Sequence, residues 1–481
     1  MSQNKKYYTL STHKTLYFLW VTTILFSATV FSSYAQISEG GTPPSFMYPA
    51  SQKTRSLQNK KNGIKNIYIP FSLDDLKADD ERMKEEFLPP RVAVLLPASF
   101  SPENSGVWST LPGGERIWQL RIMANKAKAI SLYYKKFNLP IGSKLFIYNS
   151  AHTHILGAYT HKTHPGKGKF ATEFVAGDDI ILEYVAPKSD EFPQNPEIEI
   201  EEIGYGYNYL SIKDSYSESL SGSCMVDINC EEGEQWQDHK NGVVKMIIPI
   251  GTSSFLCTGS ILNNTKEDLK PYLLTAFHCL LSSKEQASAS DLSQAQFFFR
   301  YENTTCGSNT PTSPVSMIGC TYIAGVPLEN GVDGALLLLN GKIPDNLNAY
   351  YNGWDRRNIA PQSGVCIHHP QGDVKKISTY DQPAVSDTWK SGSTQGLQDG
   401  HWNVIFKSTA NGHGVTEGGS SGAPLFDQNK RITGFLTGGN ANCTDRKEGR
   451  NLFDSRLPGE RCEPVAGLWG AEDGLRLYRI L

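Results

Sequence analysis

Three residues far apart in the chain, His278, Asp333 and Ser421, have the types needed for acyl transfer by a hydroxyl nucleophile. A hydroxyl attacks poorly at neutral pH unless a base takes its proton, and an imidazole serves as that base when a third group orients it. Backbone N–H groups must also be placed where negative charge develops on the oxygen under attack. His278 ends an apolar run in Leu273-Leu274-Thr275-Ala276-Phe277-His278-Cys279. Asp333 opens an otherwise apolar stretch, Val332-Asp333-Gly334-Ala335-Leu336-Leu337-Leu338-Leu339. Ser421 lies in Gly418-Gly419-Ser420-Ser421-Gly422-Ala423-Pro424, where small residues let the chain turn tightly and aim N–H groups into one pocket. Taken singly, the histidine reads as a satisfied core residue, the aspartate as a turn or cap, and the Gly/Ser run as a loop. The ordered combination is what points to chemistry.

His, then Asp, then Ser is the chain order of the chymotrypsin-type triad. These segments resemble the trypsin-like peptidases, and more closely the bacterial lysyl endopeptidase group, from about Ser221 to Gly439. Further matching stretches are Ser221-Gly222-Ser223-Cys224 with Asp227 and Cys230, Cys257-Thr258-Gly259-Ser260-Ile261-Leu262-Asn263-Asn264-Thr265, Gly353-Trp354-Asp355-Arg356-Arg357, and Ile367-His368-His369-Pro370. The resemblance implies an all-β fold: a chymotrypsin-like double β-barrel preceded by a β-sandwich-like propeptide domain. It implies a secreted serine endopeptidase in which Ser421 attacks, His278 moves the proton and Asp333 fixes the imidazole. The N–H groups of Gly419 and Ser421 would hold the oxyanion. It pairs Cys257 with Cys279, Cys224 with Cys443 and Cys230 with Cys306, and leaves Cys320, Cys366 and Cys462 unassigned. Trypsin carries an Asp before its catalytic Ser, paired with a new N-terminus. Ser420 is neutral, so latency is expected to come from the N-terminal domain instead.

Specificity in this fold lies beside the strand after the nucleophile. Here that is Phe435-Leu436-Thr437-Gly438-Gly439-Asn440, so Thr437, Gly438 and Gly439 are candidate substrate-binding residues. Asp445 is the nearest carboxylate for a basic side chain, with Glu448 competing and Arg446-Lys447 offsetting its charge. Cleavage after Lys or Arg is the expectation. A catalytically impaired homologue acting as a binding protein should have lost a triad member, and none is missing. An α/β-hydrolase should show Gly-x-Ser-x-Gly in a strand–elbow–helix and the order Ser, Asp, His, whereas the candidate triad here runs His, Asp, Ser.

The elements that must position these residues are short strands. Val243–Ile248, Gln296–Arg300 and Ala335–Leu339 read as strands in the Cys-bearing half. Before them, Val92–Leu96, Ile117–Ile122, Lys144–Tyr148 and Asp179–Tyr184 give a β-sandwich signal, with a short helix expected around Leu73–Glu86. The Ser/Tyr/Gly stretch from Tyr205 to Ser223 reads as a linker, and Lys213 within it offers a self-processing site. The domain reading is therefore 1–35 signal peptide, 36–90 polar leader, 91–213 propeptide-like domain and 214–481 protease domain. Residues 1–35 combine a basic start, an apolar run and Ser33-Tyr34-Ala35 before the expected cut. Nine cysteines, all from Cys224 onward, fit an oxidising compartment, either secreted or periplasmic.

With 481 residues, a formal net charge of -3 and 20% charged residues, neither nucleic acid nor a membrane (once the signal is removed) is indicated as a partner. Protein or peptide substrates and a monomeric state are expected. The chemistry calls for no cofactor. His152, His154, His161 and His164 cluster without an interleaved Cys or acidic residue, so they read as a polar hairpin and no metal site is assigned.

Overall fold

The computed structural model describes residues 38–48, 63–86, 88–164, 168–187, 195–208, 220–329, 331–391, 393–443 and 451–454. The expected signal peptide, Lys213, Asp445, Glu448 and Cys462 lie outside the described residues. The described chain is mostly β-strand, and its two C-terminal sheets are the barrels of a chymotrypsin-like fold.

The first barrel follows from one pairing path. Val315–Ile318 pairs with Gln296–Phe299, then come Val243–Ile250, Ser253–Leu262, Tyr272–Ala276, Gly334–Leu339 and Cys320–Val326. The two end strands of this path are separated in the chain by Gly319 alone. A sheet whose opposite edges are joined by one residue must curl on itself. Gly319 adopts φ +85°, and a Cβ there would sit 2.7 Å from the Ser293 carbonyl oxygen. Only glycine accepts both conditions at no cost.

The second barrel repeats the logic. Its order is Val226–Asp227, Lys376–Tyr380, Gly364–His368, Pro424–Asp427, Ile432–Gly439, Asn451–Asp454, His401–Val404 and Val385–Asp387. Val385–Asp387 follows Lys376–Tyr380 closely in sequence yet lies at the far end of the path. Again the sheet has to wrap.

Continuous apolar runs form the strands that are covered on both faces. Every residue of Val243–Ile250 is buried. Val244, Met246 and Ile248 point into the first barrel, while Ile247 joins a separate cluster with Val92, Ala93, Ala129, Phe174, Leu256 and Phe298. That second cluster is shared with the N-terminal region. There, a six-stranded sheet containing Arg116–Met123, Asp179–Val185 and Lys144–Asn149 packs over Arg91–Phe100, Glu197–Gly206 and Ala129–Asn138. Trp118, Leu120, Leu132, Tyr134, Leu182 and Ile203 fill the space between. The Arg91–Phe100 strand also pairs antiparallel with Ser253–Phe255, so the N-terminal sheet continues into the first barrel. Tyr133 Oη lies 2.9 Å from Ser254 Oγ across this seam, and Gln294 Nε2 donates to the Phe170 carbonyl at 2.9 Å.

The strand positions expected from sequence are all occupied by strands, each one or more residues longer or shorter than the apolar run suggests. The expected helix spans Leu73–Glu85, opened by Ser72, whose side chain accepts from the Asp74 N–H. The linker expected from Tyr205 begins later. Tyr205 and Gly206 close the Glu197–Gly206 strand, and Tyr207 is buried against Arg91 and Asp80. Aromatic residues read as linker composition are here strand and core.

Replacing Gly319 by Ala is expected to destabilise the fold by about 1–3 kcal/mol, because it forces a left-handed backbone onto a residue with a Cβ. A lowered thermal-unfolding midpoint by calorimetry checks this, and an unchanged midpoint would contradict it.

Candidate active site

His278 and Asp333 are delivered by neighbouring strand ends. Tyr272–Ala276 and Gly334–Leu339 pair antiparallel with Ala276 opposite Gly334. The residue just before the second strand is Asp333, and the chain leaving the first enters a tight turn over Phe277–Leu280. Both candidate side chains therefore emerge at one end of one strand pair. Asp333 adopts φ +49°, a conformation that Asp tolerates better than most residues. Its carbonyl accepts the Phe277 N–H at 2.6 Å, which clamps the turn.

The Asp333 carboxylate is fully buried and holds the histidine twice. Oδ1 accepts the His278 backbone N–H at 2.9 Å, and Oδ2 lies 2.7 Å from Nδ1. An ionised carboxylate only accepts, so Nδ1 carries the proton and Nε2 keeps its lone pair. That is the tautomer a general base requires. Cys279, the next residue, is bonded to Cys257 on the Ser253–Leu262 strand, which ties the turn to its neighbour.

The Ser421 loop is held between two strands. On one side the Thr258 N–H donates to the Ser421 carbonyl at 2.9 Å, and on the other the Gly422 N–H donates to the Leu436 carbonyl at 2.8 Å. Thr258 Oγ1 donates to the Gly419 carbonyl at 2.9 Å. A Cβ on Gly422 would fall 2.1 Å from Thr275 Oγ1, so the loop approaches the histidine strand as closely as a backbone can. Cys279 Sγ is 3.6 Å from the Ser421 carbonyl oxygen. Ser421 is thus brought to the residue that follows His278. Among the described residues, Ser421 Oγ and the His278 ring do not share a hydrogen bond.

Loop donors divide into two groups. The Ser420 N–H goes to the Glu417 carbonyl and the Ala423 N–H to the Ser420 carbonyl, both at 2.9 Å. Among the described residues the N–H groups of Gly419 and Ser421 have no acceptor. Gly419 sits at φ +91°, with Leu256 Cδ2 2.6 Å from where a Cβ would be. These two donors are the pair expected for an oxyanion.

Sequence reasoning gave no role to His368. Its fully buried ring fixes Ser420 from behind: Nδ1 is 2.7 Å from Ser420 Oγ and Nε2 is 3.1 Å from Ser378 Oγ. Ser378 Oγ donates to the Val415 carbonyl, so it must accept from Nε2–H. Nδ1 then accepts the Ser420 proton, and Ser420 Oγ accepts the Glu417 N–H at 3.2 Å. A neutral histidine thus occupies the role that a charged pair serves in trypsin. Burial, with a smaller effect of Lys376, pushes His368 down to about 3. The Ile367-His368-His369-Pro370 resemblance was the one available signal.

Of the specificity candidates, Thr437 is buried, Gly439 is exposed, and Gly438 faces the Trp389 indole, whose Cη2 is 2.8 Å from a Cβ built there. The space beside Gly438 is therefore bounded by a ring that the sequence did not assign. Cys224 is joined to Cys443 and Cys230 to Cys306, while Cys320 and Cys366 are free and buried. Asp227 receives Lys376 Nζ at 2.6 Å and the Gly307 N–H at 2.9 Å, anchoring the start of the second barrel. In the N-terminal region His152 stacks on Phe46 and His154 Nδ1 accepts the Ala176 N–H at 3.1 Å, so these two rings are engaged in packing and turn formation.

Because the folded-state value of His368 is depressed, the unfolded chain binds a proton there first as pH falls. The associated stability is complete above about 6.5 and is lost progressively toward about 3. The unfolding midpoint is expected to drop between pH 7 and 4.5, and to drop less in His368→Gln. Equal slopes in the two proteins would exclude this account.

The lysyl endopeptidase C-terminal domain family matches residues 219–454. Lysyl endopeptidase of Pseudomonas aeruginosa is 30% identical over 297 residues, covering 59% of this chain and 60% of that protein. Secreted RxLR effector protein 73 of Plasmopara viticola is 22% identical over 267 residues, covering 52% of this chain and 62% of that protein. The chain therefore spans about three-fifths of the length of these relatives. Among solved structures, the active form of a protease from M. tuberculosis is 13% identical and covers 50% of this chain and 86% of its own, with a TM-score of 0.32. A thermostable serine protease from an extremophilic microorganism is 14% identical and covers 45% and 92%, with a TM-score of 0.30. The match over 219–454 and the curated relative agree with the motifs: this portion of the chain is similar to the lysyl endopeptidase C-terminal domain.

Proposed function

We propose that the chain is a serine endopeptidase that cleaves polypeptides after Lys or Arg. The observation that carries this reading is the doubly held pair, Asp333 Oδ1 on the His278 N–H and Oδ2 on Nδ1, set beside a serine loop with two undonated N–H groups. His278 Nε2 takes the Ser421 proton as Oγ attacks the scissile carbonyl. The oxygen that becomes negative is received by the Gly419 and Ser421 N–H groups. His278 then protonates the leaving amine, and water repeats the sequence on the acyl-enzyme. Catalytic hydrogen bonds commonly tighten only when substrate fills the site, so Ser421 Oγ is expected to close on Nε2 in the Michaelis complex.

Preference for a basic side chain rests on the resemblance and on Asp445. The three disulfides fit an oxidising compartment, which supports export. The N-terminal region would be the propeptide, separated by cleavage between residues 208 and 220.

A panel of fluorogenic Lys, Arg and Phe amides tests the reading. Lys amide hydrolysis is expected to exceed Phe amide hydrolysis by about a hundredfold or more in kcat/KM, equivalent to roughly 3 kcal/mol of discrimination. Ser421→Ala should lose about 10⁶ in kcat and Asp333→Asn about 10⁴. Activity that survives Ser421→Ala at the wild-type level would remove the proposal.

A further inference from the structure

Ser421 lies between two strands: the specificity candidates follow Leu436 on one, and Ser253–Leu262 runs along the other. If the residue before the scissile bond sits beside Thr437–Gly439, the residues after it must leave along Ser253–Leu262. In this structure that path is taken. The Pro90 carbonyl accepts the Leu256 N–H at 2.9 Å, and Arg91 is in register with Phe255. The pairing is antiparallel, so residue numbers in this segment fall toward Cys257 and the site. This is the way an extended peptide adds to an open sheet edge.

The segment fits its seat closely. Gly418, next to the oxyanion candidate Gly419, lies beneath Pro90, and a Cβ on Gly418 would be 2.8 Å from Pro90 Cγ. Leu256 fills the gap between Pro90 and Gly419. Met83 is buried in the first-barrel cluster that contains Cys257, Phe277 and Cys279, and Leu88 packs against that cluster. The Leu88 N–H donates to the Met83 carbonyl at 3.0 Å, which folds the chain back from the helix. Beyond the prolines, Arg91 is fastened away from the site: Nε donates to Tyr207 Oη at 2.9 Å and to Asp80 Oδ1 at 3.0 Å. The basic side chain of a residue paired with the barrel strand is thereby kept out of any pocket for Lys or Arg. Pro89 and Pro90 hold the segment extended and have no N–H to donate.

We propose that Leu88–Arg91, seated by Met83, is a built-in strap over the leaving-group side of the active site. It holds the cutting of polypeptides by the full-length chain to a small residual rate, through transient opening, while leaving Ser421 reactive toward small reagents. The proposal rests on the endopeptidase reading. Substrates that extend past the scissile bond compete with the strap for the Leu256 N–H and the surface of Gly418, whereas a small acylating or phosphonylating reagent needs neither.

The test uses the full-length chain, with its intact mass verified before each assay. Three measurements are made: labelling of Ser421 by a fluorophosphonate, hydrolysis of a Lys aminocoumarin amide, and hydrolysis of an internally quenched peptide with four residues after Lys. Met83→Asp should raise kcat/KM on the quenched peptide by about tenfold or more over wild type, a difference of roughly 1.4 kcal/mol, with labelling unchanged. A second variant guards against misfolding. The Cβ positions of residues 418 and 90 are 4.0 Å apart, within the usual disulfide range of about 3.5–4.5 Å. Pro90→Cys with Gly418→Cys should therefore lock the strap on oxidation. The oxidised form should label but not cut the quenched peptide, and mild reduction should restore cutting, with wild type under the same reductant as control. An oxidised double variant that cuts the long peptide at the wild-type rate overturns the strap. So does a Met83→Asp variant with unchanged peptide-to-amide ratio. If no form of the chain labels at Ser421, the endopeptidase reading itself has failed, and that result is distinct from either of the others.

Discussion

The register that sets Ala276 opposite Gly334 is the constraint on which the rest of the site depends, because it places the two ends from which His278 and Asp333 project. A one-residue slip would turn the strand faces over and separate them. The register is itself secured by burial. Leu273, Leu274, Leu336 and Leu337 are all inaccessible, so slippage would move apolar side chains out of the first-barrel core. Asp333 then adds local control. Its carbonyl, both carboxylate oxygens and its left-handed backbone are all committed to the Phe277–His278 turn. The cost of burying a carboxylate is offset by these two hydrogen bonds.

The serine loop is organised by a different economy. Six successive residues, Glu417 to Gly422, use their hydrogen-bonding groups on Thr258, Leu436, His368, Gln371 and one another. Among the described residues, the N–H groups left without an acceptor are those of Gly418, which is exposed to water, and of Gly419 and Ser421. Leaving two backbone donors unpaired is destabilising, and a fold tolerates it where a ligand or intermediate supplies the acceptor. His368 makes this arrangement possible without charge. A neutral ring between two hydroxyls fixes Ser420 with no ion to desolvate, whereas a buried ion pair gives back much of its attraction as lost hydration.

The legible part of the sequence was the part where one local pattern had one structural outcome. Ala335–Leu339 could be read as a strand because a strand covered on both faces is apolar at every position, and the Gly/Ser run around Ser421 could be read as a tight loop because its residues have almost no side chains to place. His368 was not legible as a support for Ser420, since its partners Ser420 and Ser378 lie on separate elements and no spacing links them. Tyr205 and Tyr207 read as linker because their partners are remote in the chain: Tyr205 Oη donates to the Asn125 carbonyl, and Tyr207 meets Arg91 and Asp80, more than a hundred positions earlier. Trp389 could not be connected with Gly438 for the same reason. Leu88–Pro90 read as part of a polar leader because prolines break both periodicities on which strand and helix recognition rests. Their contact with Leu256 and Gly418 exists only once the first barrel has formed.

The strap is held by the Pro90–Leu256 hydrogen bond, the Arg91–Phe255 strand pair and a few apolar contacts, too little to hold as a free peptide. Two tethers make it effective. Arg91 anchors one side to Asp80 and Tyr207, and the following strand is paired with Ser253–Phe255. Such tethering raises the local concentration of the segment to about the millimolar range, which a dilute substrate does not match. It also means that cutting the chain between 208 and 220 does not by itself free the site. The Val92, Ala93, Ala129, Phe174, Ile247, Leu256 and Phe298 cluster, the Tyr133–Ser254 contact and the Gln294 bond to Phe170 would all survive the cut. Release requires the N-terminal sheet to leave Ser253–Phe255, and once the linker is cut that departure becomes a dissociation whose entropy favours separation on dilution. The seam between the N-terminal sheet and the first barrel thus governs when the leaving-group side opens, and the strap converts that seam into control of polypeptide access to Ser421.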